Sequence, residues 1–340
     1  MTDVMTSPTA NQLPAPSTQR RKAVWLRELA LLPALVVVFL IGGLVDDTFV
    51  GWSNIVSILT ASAALSLVVL GESLVLITGK FDLSLESTMG LAPALGAMVV
   101  IPAASAGFGV ELPAAVGLLI IPLCGALVGF VNGFLIVKLK LNAFIVTLAM
   151  LTVLRGVQVG STKGKTLFNL PDSFTDLATT TLLGLPMSVW LAAVLFAVAG
   201  WVLRYHRVGR ALYAIGGNRE AARAAGVRVD RIAWAVFVVA GLLAAIGGLA
   251  YTGYVGALGA NQGSGMILQV FAAAVIGGVS MNGGKGTLFG ALCGVLVLGL
   301  ANNILTLAGV SAQWFQAVNG LIVLVAVIIA RVTTGKAQDS

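Results

Sequence analysis

The stretch GGNREAARAAGVRVD, Gly216–Asp230, lies between two long apolar runs at about 185–203 and 232–250. Arg219, Glu220, Arg223, Arg228 and Asp230 crowd into it, in a chain where only 10% of residues are charged. Apolar runs on both sides of so polar a segment read as membrane spans joined by a loop in water. About 20 apolar residues in a helix cross a ~30 Å hydrocarbon core.

The same alternation continues outward in both directions. Hydrophobic residues fill 58% of the 340 positions, above the roughly 45–50% of soluble domains. The pattern predicts an all-α polytopic membrane protein with ten spans, at approximately 29–45, 54–78, 84–101, 113–137, 143–159, 185–203, 232–250, 267–281, 287–301 and 314–330. They form a single transmembrane domain over 29–331, with a cytoplasmic loop at 204–231. A disordered cytoplasmic segment, 1–28, precedes it, and a short cytoplasmic tail, 332–340, follows. The 41 glycines suit helices that approach closely.

Charge tests this topology independently. With both termini in the cytoplasm, all of the 20 Lys and Arg except Arg155, Lys163 and Lys165 fall on the inner side, as the positive-inside rule requires. Asp46, Asp47, Glu111, Asp172 and Asp176 fall in the outer loops. The net charge of +7 therefore reads as basic inner loops. Nucleic acid is excluded as a partner, because no basic cluster is interleaved with stacking aromatics. Cys124 and Cys293 sit in apolar runs as small hydrophobes, and His206 has no candidate metal or triad partner. No metal site is expected.

Within the opening stretch, Asn218 or Gly217 can cap a helix over 218–225. Glu220 suits its positive end, the alanines favour helix, and Gly226 can end it in a left-handed conformation. Two other breaks are glycine-rich: Thr78–Ser87 (TGKFDLSLES) and Ile276–Thr287 (IGGVSMNGGKGT). Falling in opposite halves of the chain, they suggest two pseudo-symmetric five-helix repeats of inverted topology. Irregular backbone at depth survives only beside protein or a wet cavity. Asp82, Ser84, Asn132, Asn142, Asn282, Asn302 and Asn303 are thus candidate lining for a substrate pathway. Glu72 joins them as a carboxylate within a span, with two duller alternatives: a place near the span's end, or a pairing with Lys80.

The short pattern Glu220-Ala221-Ala222, three residues, Gly226 resembles the EAA-x-x-x-G signature of ABC importer membrane subunits. Arg207–Asn218 (RVGRALYAIGGN) is similar to the G-R-x-L-Y-A-x-G-G-N run of ribose-type permeases, and Phe81–Leu85 to their G-x-D-L-S-V-G element. Asn132–Ile136 with Phe144–Leu148, Ile276–Gly286, and Ala301-Asn302-Asn303 resemble further runs of that branch, in the same order, over about 50–330. The chain is identified as a member of the ribose/xylose/arabinose-type branch of ABC importer permeases, related to branched-chain amino-acid permeases. Lys80 and Glu86 depart from it, standing where glycine is more usual. They imply an altered substrate, or a break that lies in cytoplasmic water.

The resemblance implies a transport subunit rather than an enzyme, residing in the bacterial inner membrane beside membrane lipid. Its implied partners are a second permease copy or a homologous permease, a cytoplasmic ABC ATPase and an extracytoplasmic sugar-binding protein. ATP and Mg would bind to the ATPase and no cofactor to this chain, which has no G-x-x-x-x-G-K-[ST] phosphate loop. Gly217, Asn218, Arg219, Glu220, Ala221, Ala222, Arg223 and Gly226 would form the coupling helix that docks on it. A secondary transporter or channel working without an ATPase is the alternative. An intramembrane enzyme would have only Glu72, Asp82 and Glu86 to work with, and no histidine.

Overall fold

The computed structural model describes residues 31–311 and, beyond them, 314, 315, 317–322 and 324. The expected terminal segments, 1–28 and 332–340, lie outside the described residues, as does much of the expected span 314–330. Helix α1 (Leu31–Val45) leads through a 3-10 turn to α2 (Trp52–Ile77), then a break and α3 (Leu85–Met98). Next come α4 (Ala114–Gly133), prolonged by a π-turn to Lys138, α5 (Ala143–Thr162) and the short α6 (Asp172–Thr179). A two-stranded hairpin, β1 (Thr181–Leu182) with β2 (Leu185–Pro186), precedes α7 (Met187–Tyr205). The loop between the two flanking spans holds α8 (Arg207–Gly217) and α9 (Arg219–Ala224). After it follow α10 (Val229–Val255), α11 (Met266–Ile276) and α12 (Leu288–Leu307).

Six helices among the described residues are long and apolar enough to cross a membrane: α2, α4 with its π-turn, α5, α7, α10 and α12. The apolar α1 and α11 are shorter. The molecule is a multi-pass membrane protein. Its centre is α10, packed on α2 and α4, and small residues decide how closely. A Cβ on Gly125 of α4 would run into the Gly241 carbonyl of α10, and one on Gly241 into the Gly125 carbonyl. One on Gly71 of α2 would lie 3.0 Å from the Ala240 Cα. Backbones in contact leave no room for side chains, which is how helices gain packing where lipid is as apolar as leucine. Outward faces are apolar: Leu119, Leu127 and Ile145 are at least 60% exposed.

Two of the expected spans are short. At 1.5 Å per residue, α3 with 14 residues and α11 with 11 reach only about 21 and 16 Å. Both begin in the interior, where Leu85, Glu86 and Ile267 are buried. Each follows a long helix and a break that re-enters the bundle: α2 and 78–84 before α3, α10 and 256–265 before α11. The second break is pinned at depth, where buried Gln262 donates to the carbonyls of Met89 and Gly248.

This order corrects one expectation. The sequence pairs 78–87 with 276–287, but 276–287 follows its short helix whereas 78–84 precedes one. The element in the position of 78–84 is 256–265. Glycine-rich turns look alike whether the chain is entering or leaving a short helix.

Candidate functional site

The helix expected over 218–225 is α9, and its ends are those the residue types dictate. The Asn218 side-chain oxygen accepts from Ala221 N at 2.9 Å, and Gly226 has φ +81°. Ala222 packs inward with Ile215 and Val229, leaving Gly217, Asn218, Glu220, Ala221, Arg223 and Ala224 exposed. Both Arg219 and Arg223 reach back to Asp230, at 2.8 and 3.0 Å. The two arginines are thus held within the loop, fixing α9 against the first turn of α10.

The end of α8, which leads into α9, packs against both glycine-rich turns. Gly284 N donates to Ile77 O at 2.9 Å. A Cβ on Gly216 would run into that same Ile77 carbonyl and Gly284 N, and one on Gly283 would lie 2.7 Å from the Gly79 Cα. The Tyr213 hydroxyl donates to Gly286 O at 2.8 Å. Residues 77–80 and 282–286 therefore lie at the level of the polar loop, not at depth. Asn282 is exposed there, its N–H donating to Ser280 Oγ. Lys80 is there too, its ammonium pushed below the usual lysine value by burial and by the Arg219 charge. Lys80 makes no ion pair with Glu72 among the described residues.

From this hub the chain turns inward, and four expected pathway residues converge. Glu72, Asp82, Ser84 and Asn132 are all fully buried. Ser84 donates to Asp82 Oδ1 through its N–H (3.0 Å) and hydroxyl (2.6 Å). Asn132 Nδ2 donates to Ser84 Oγ at 2.7 Å and to both Asp82 oxygens at 3.3 Å. Glu72 Oε1 accepts a long 3.4 Å bond from Asp82 N. Glu72 Oε2, Asn132 Oδ1 and the adjacent Ser73 Oγ have no partner among the described residues. Two carboxylates thus share a buried site in which, among the described residues, no basic side chain pairs with either.

A second buried network was missed from sequence. Glu86 is not in water: its Oε1 takes Arg155 Nη2 at 3.1 Å, and its Oε2 accepts Ile267 N at 3.1 Å. Arg155 Nη1 donates to Gln158 Oε1 (3.1 Å) and Gln262 O (2.8 Å). Gln262 Oε1 accepts from Thr252 Oγ1 at 3.1 Å. Arg155, counted with the outer charges from sequence, turns instead into the bundle. The Glu86 carboxylate sits at the positive end of α11, where an anion is stabilised, and so ties the starts of the two short helices together. The available signal was a lone arginine inside an apolar run, which must find a partner.

The remaining candidates lie elsewhere. Asn142 caps α5, its Oδ1 accepting from Ile145 N at 3.2 Å. Asn303 and Asn54 exchange amide hydrogen bonds of 2.8 and 2.9 Å, clasping the end of α12 to the start of α2. Asn302 keeps a buried, unpartnered Oδ1 beside this clasp.

Residues 54–327 match the family model described as branched-chain amino acid transport system / permease component. The chain is 34% identical over 309 residues to the ribose import permease protein RbsC of Escherichia coli (strain K12), covering 90% of this chain and 94% of that protein. It is 33% identical over 299 residues to RbsC of Haemophilus influenzae, covering 87% and 90%. The autoinducer 2 import system permease protein LsrC of Escherichia coli (strain K12 / DH10B) is 31% identical over 302 residues, covering 89% and 86%. No solved structure matches the chain.

Proposed function

This chain belongs to the family of branched-chain amino acid transport system permease components, and from that premise we propose that it is the membrane subunit of an ATP-driven importer for a monosaccharide or similar polyol. It is a transport subunit, not an enzyme. A separate ATPase would bind and hydrolyse ATP with Mg, an extracytoplasmic binding protein would deliver the solute, and a second permease would complete the pore. In this reading the protein lies in the bacterial inner membrane with both termini in the cytoplasm. Helices α1–α5 form one five-helix repeat. Helices α7, α10, α11 and α12, with the helical residues between 315 and 324, form the other.

The observation that carries the reading is the exposed, capped helix α9 bearing Glu220-Ala221-Ala222 ahead of Gly226, in the loop between two spans. A driven subunit needs a rigid feature that a motor can grip, and a feature joined to the parts that must move. α9 has both: Asp230 pins it through Arg219 and Arg223, and α8, which leads directly into it, meets both glycine-rich turns. Closure of the ATPase pair would push α9. The push would pass through Gly216 to Ile77 and Gly284, and so to the segments flanking α3 and α11. Glu72, Asp82, Ser84 and Asn132, closed off in this conformation, are the polar groups such a motion would bring to a solute.

The test is uptake in vesicles carrying the complete importer. Glu220→Lys and Gly226→Val should abolish solute-dependent uptake while the protein still inserts and its ATPase still hydrolyses ATP. Undiminished uptake by both variants would remove α9 from the mechanism. Uptake by vesicles holding this chain alone would favour a carrier or channel that needs no ATPase.

A further inference from the structure

A cavity of about 740 Å³ opens where α7, α8 and the start of α10 meet, on the end of the bundle that carries the 204–231 loop. Its walls are apolar: Ala199 and Val202 of α7, Ala235 and Val239 of α10, with Leu74 of α2 behind them. Three arginines line the same cavity: Arg207 at the start of α8, and Arg228 and Arg231 at the start of α10. No acidic residue lines it among the described residues. Asp230, between two of these arginines, is already engaged by Arg219 and Arg223. None of the Arg207, Arg228 and Arg231 guanidinium groups has a hydrogen-bond or ion-pair partner among the described residues, and all three residues are exposed.

We propose that this cavity is a binding site for one anionic phospholipid, its phosphate held by Arg207, Arg228 and Arg231 and an acyl chain lying between α7 and α10. Two features of the site favour a lipid over a water-soluble occupant. Arg231, Ala235 and Val239 follow one another at four-residue spacing, so the apolar wall runs about 12 Å along α10 from the charged rim. A protein docking from the water would meet the arginines but leave that wall bare. A zwitterionic lipid would fill the wall but bring no net charge to three unpaired guanidiniums, each of which contributes about fivefold to binding an anionic surface. The occupant would wedge α7 and α8 against α10, directly behind the loop that ends in α9.

The experiment is native mass spectrometry of the full-length chain released from nanodiscs of phosphatidylcholine with or without phosphatidylglycerol. One phosphatidylglycerol should remain bound where phosphatidylcholine is stripped. The variant Arg207→Gln/Arg228→Gln/Arg231→Gln should weaken that retention on the order of a hundredfold. Arg210→Gln, at a position that does not line the cavity, should retain it unchanged. Ala235→Phe keeps every charge but obstructs the wall, and should also expel the lipid. Soluble glycerol 3-phosphate should not compete. The proposal is overturned if the triple variant retains phosphatidylglycerol, if Ala235→Phe has no effect, or if glycerol 3-phosphate displaces the lipid. Cross-linking that places another part of this chain in the cavity would overturn it equally.

Discussion

Asp82 and Glu86 are four residues apart, both buried, and their surroundings are opposites. Glu86 is answered on both oxygens, by the Arg155 guanidinium and by a backbone N–H at the positive end of α11. Among the described residues Asp82 has only neutral donors, Ser84 and Asn132, and shares its site with Glu72, one of whose oxygens has no partner there. A buried charge whose demands are all met holds elements in register. A buried carboxylate left short of partners has been kept at a cost in stability, which is the pattern of a site that waits for something else. The first cluster reads as a fastener between the two short helices, and the second is the one that the proposed transport function would use.

The most severe test of that contrast is Glu86→Ala. It leaves the Arg155 guanidinium uncompensated, and breaking a buried pair by removing one partner costs about 3–5 kcal/mol. Arg155 keeps 17% of its side chain exposed, which places the expected loss near 3 kcal/mol, read as thermal unfolding in detergent. The double variant Glu86→Leu/Arg155→Met should recover most of it, because an apolar pair of similar volume is often neutral. Were the double variant as unstable as the single one, Glu86 would matter for its hold on α11 and not for its pairing with Arg155.

Next in size is Gly216→Val at the hub. The added side chain meets the Ile77 carbonyl and Gly284 N, which are backbone atoms with little freedom to yield. Overpacking of this kind costs about 1–3 kcal/mol. Amide exchange should quicken at 77–80 and at 282–286 together. Gly217→Ala is the control, since nothing lies within 4 Å of its Cβ position, and it should leave exchange unchanged. Faster exchange in only one of the two turns would mean that the hub does not join them.

The contrast also explains what could be read from the sequence. The α9 helix was legible to its caps, because Asn218, Glu220 and Gly226 act on the backbone within a few residues of themselves. The buried set Glu72, Asp82, Ser84 and Asn132 was legible as candidates because polar groups inside apolar runs must be explained. Arg155 and Glu86 carried the same signal, but Arg155 was placed with the outer charges and Glu86 was read as a mark of an altered substrate or of a break in water, since their partnership spans 69 residues and no local rule links them. Asn303 was misleading for the same reason: its partner, Asn54, is 249 residues away. The short helices α3 and α11 were hidden inside apolar runs of ordinary length, because re-entrant chain that lines protein need not be polar.

A smaller effect is expected at Glu72→Gln. The isosteric amide removes a carboxylate that has one long hydrogen bond and one unpartnered oxygen, so stability should change by less than about 1 kcal/mol and can rise. Solute uptake should fall severalfold in the same variant if this cluster meets the solute. A stability loss as large as that of Glu86→Ala would erase the distinction between the two clusters and make Glu72 a second fastener.

The effects expected at α9 are small as well, and their size is itself informative. Asn218→Ala deletes the cap, worth about 1 kcal/mol. Asp230→Asn weakens two ion pairs whose partners are 33% and 58% exposed, and exposed pairs are worth about 0.2–1 kcal/mol. Neither variant should move global unfolding by more than this. Both should speed amide exchange within 219–226, because a helix of six residues cannot hold itself together without help from its ends. Uptake per ATP hydrolysed should fall in both, and more in Asp230→Asn, since the aspartate joins α9 to α10 while the cap acts on α9 alone. If exchange within 219–226 rose while coupling stayed intact, α9 would not need to be rigid to be pushed. The force would then have to enter through α8 and Gly216.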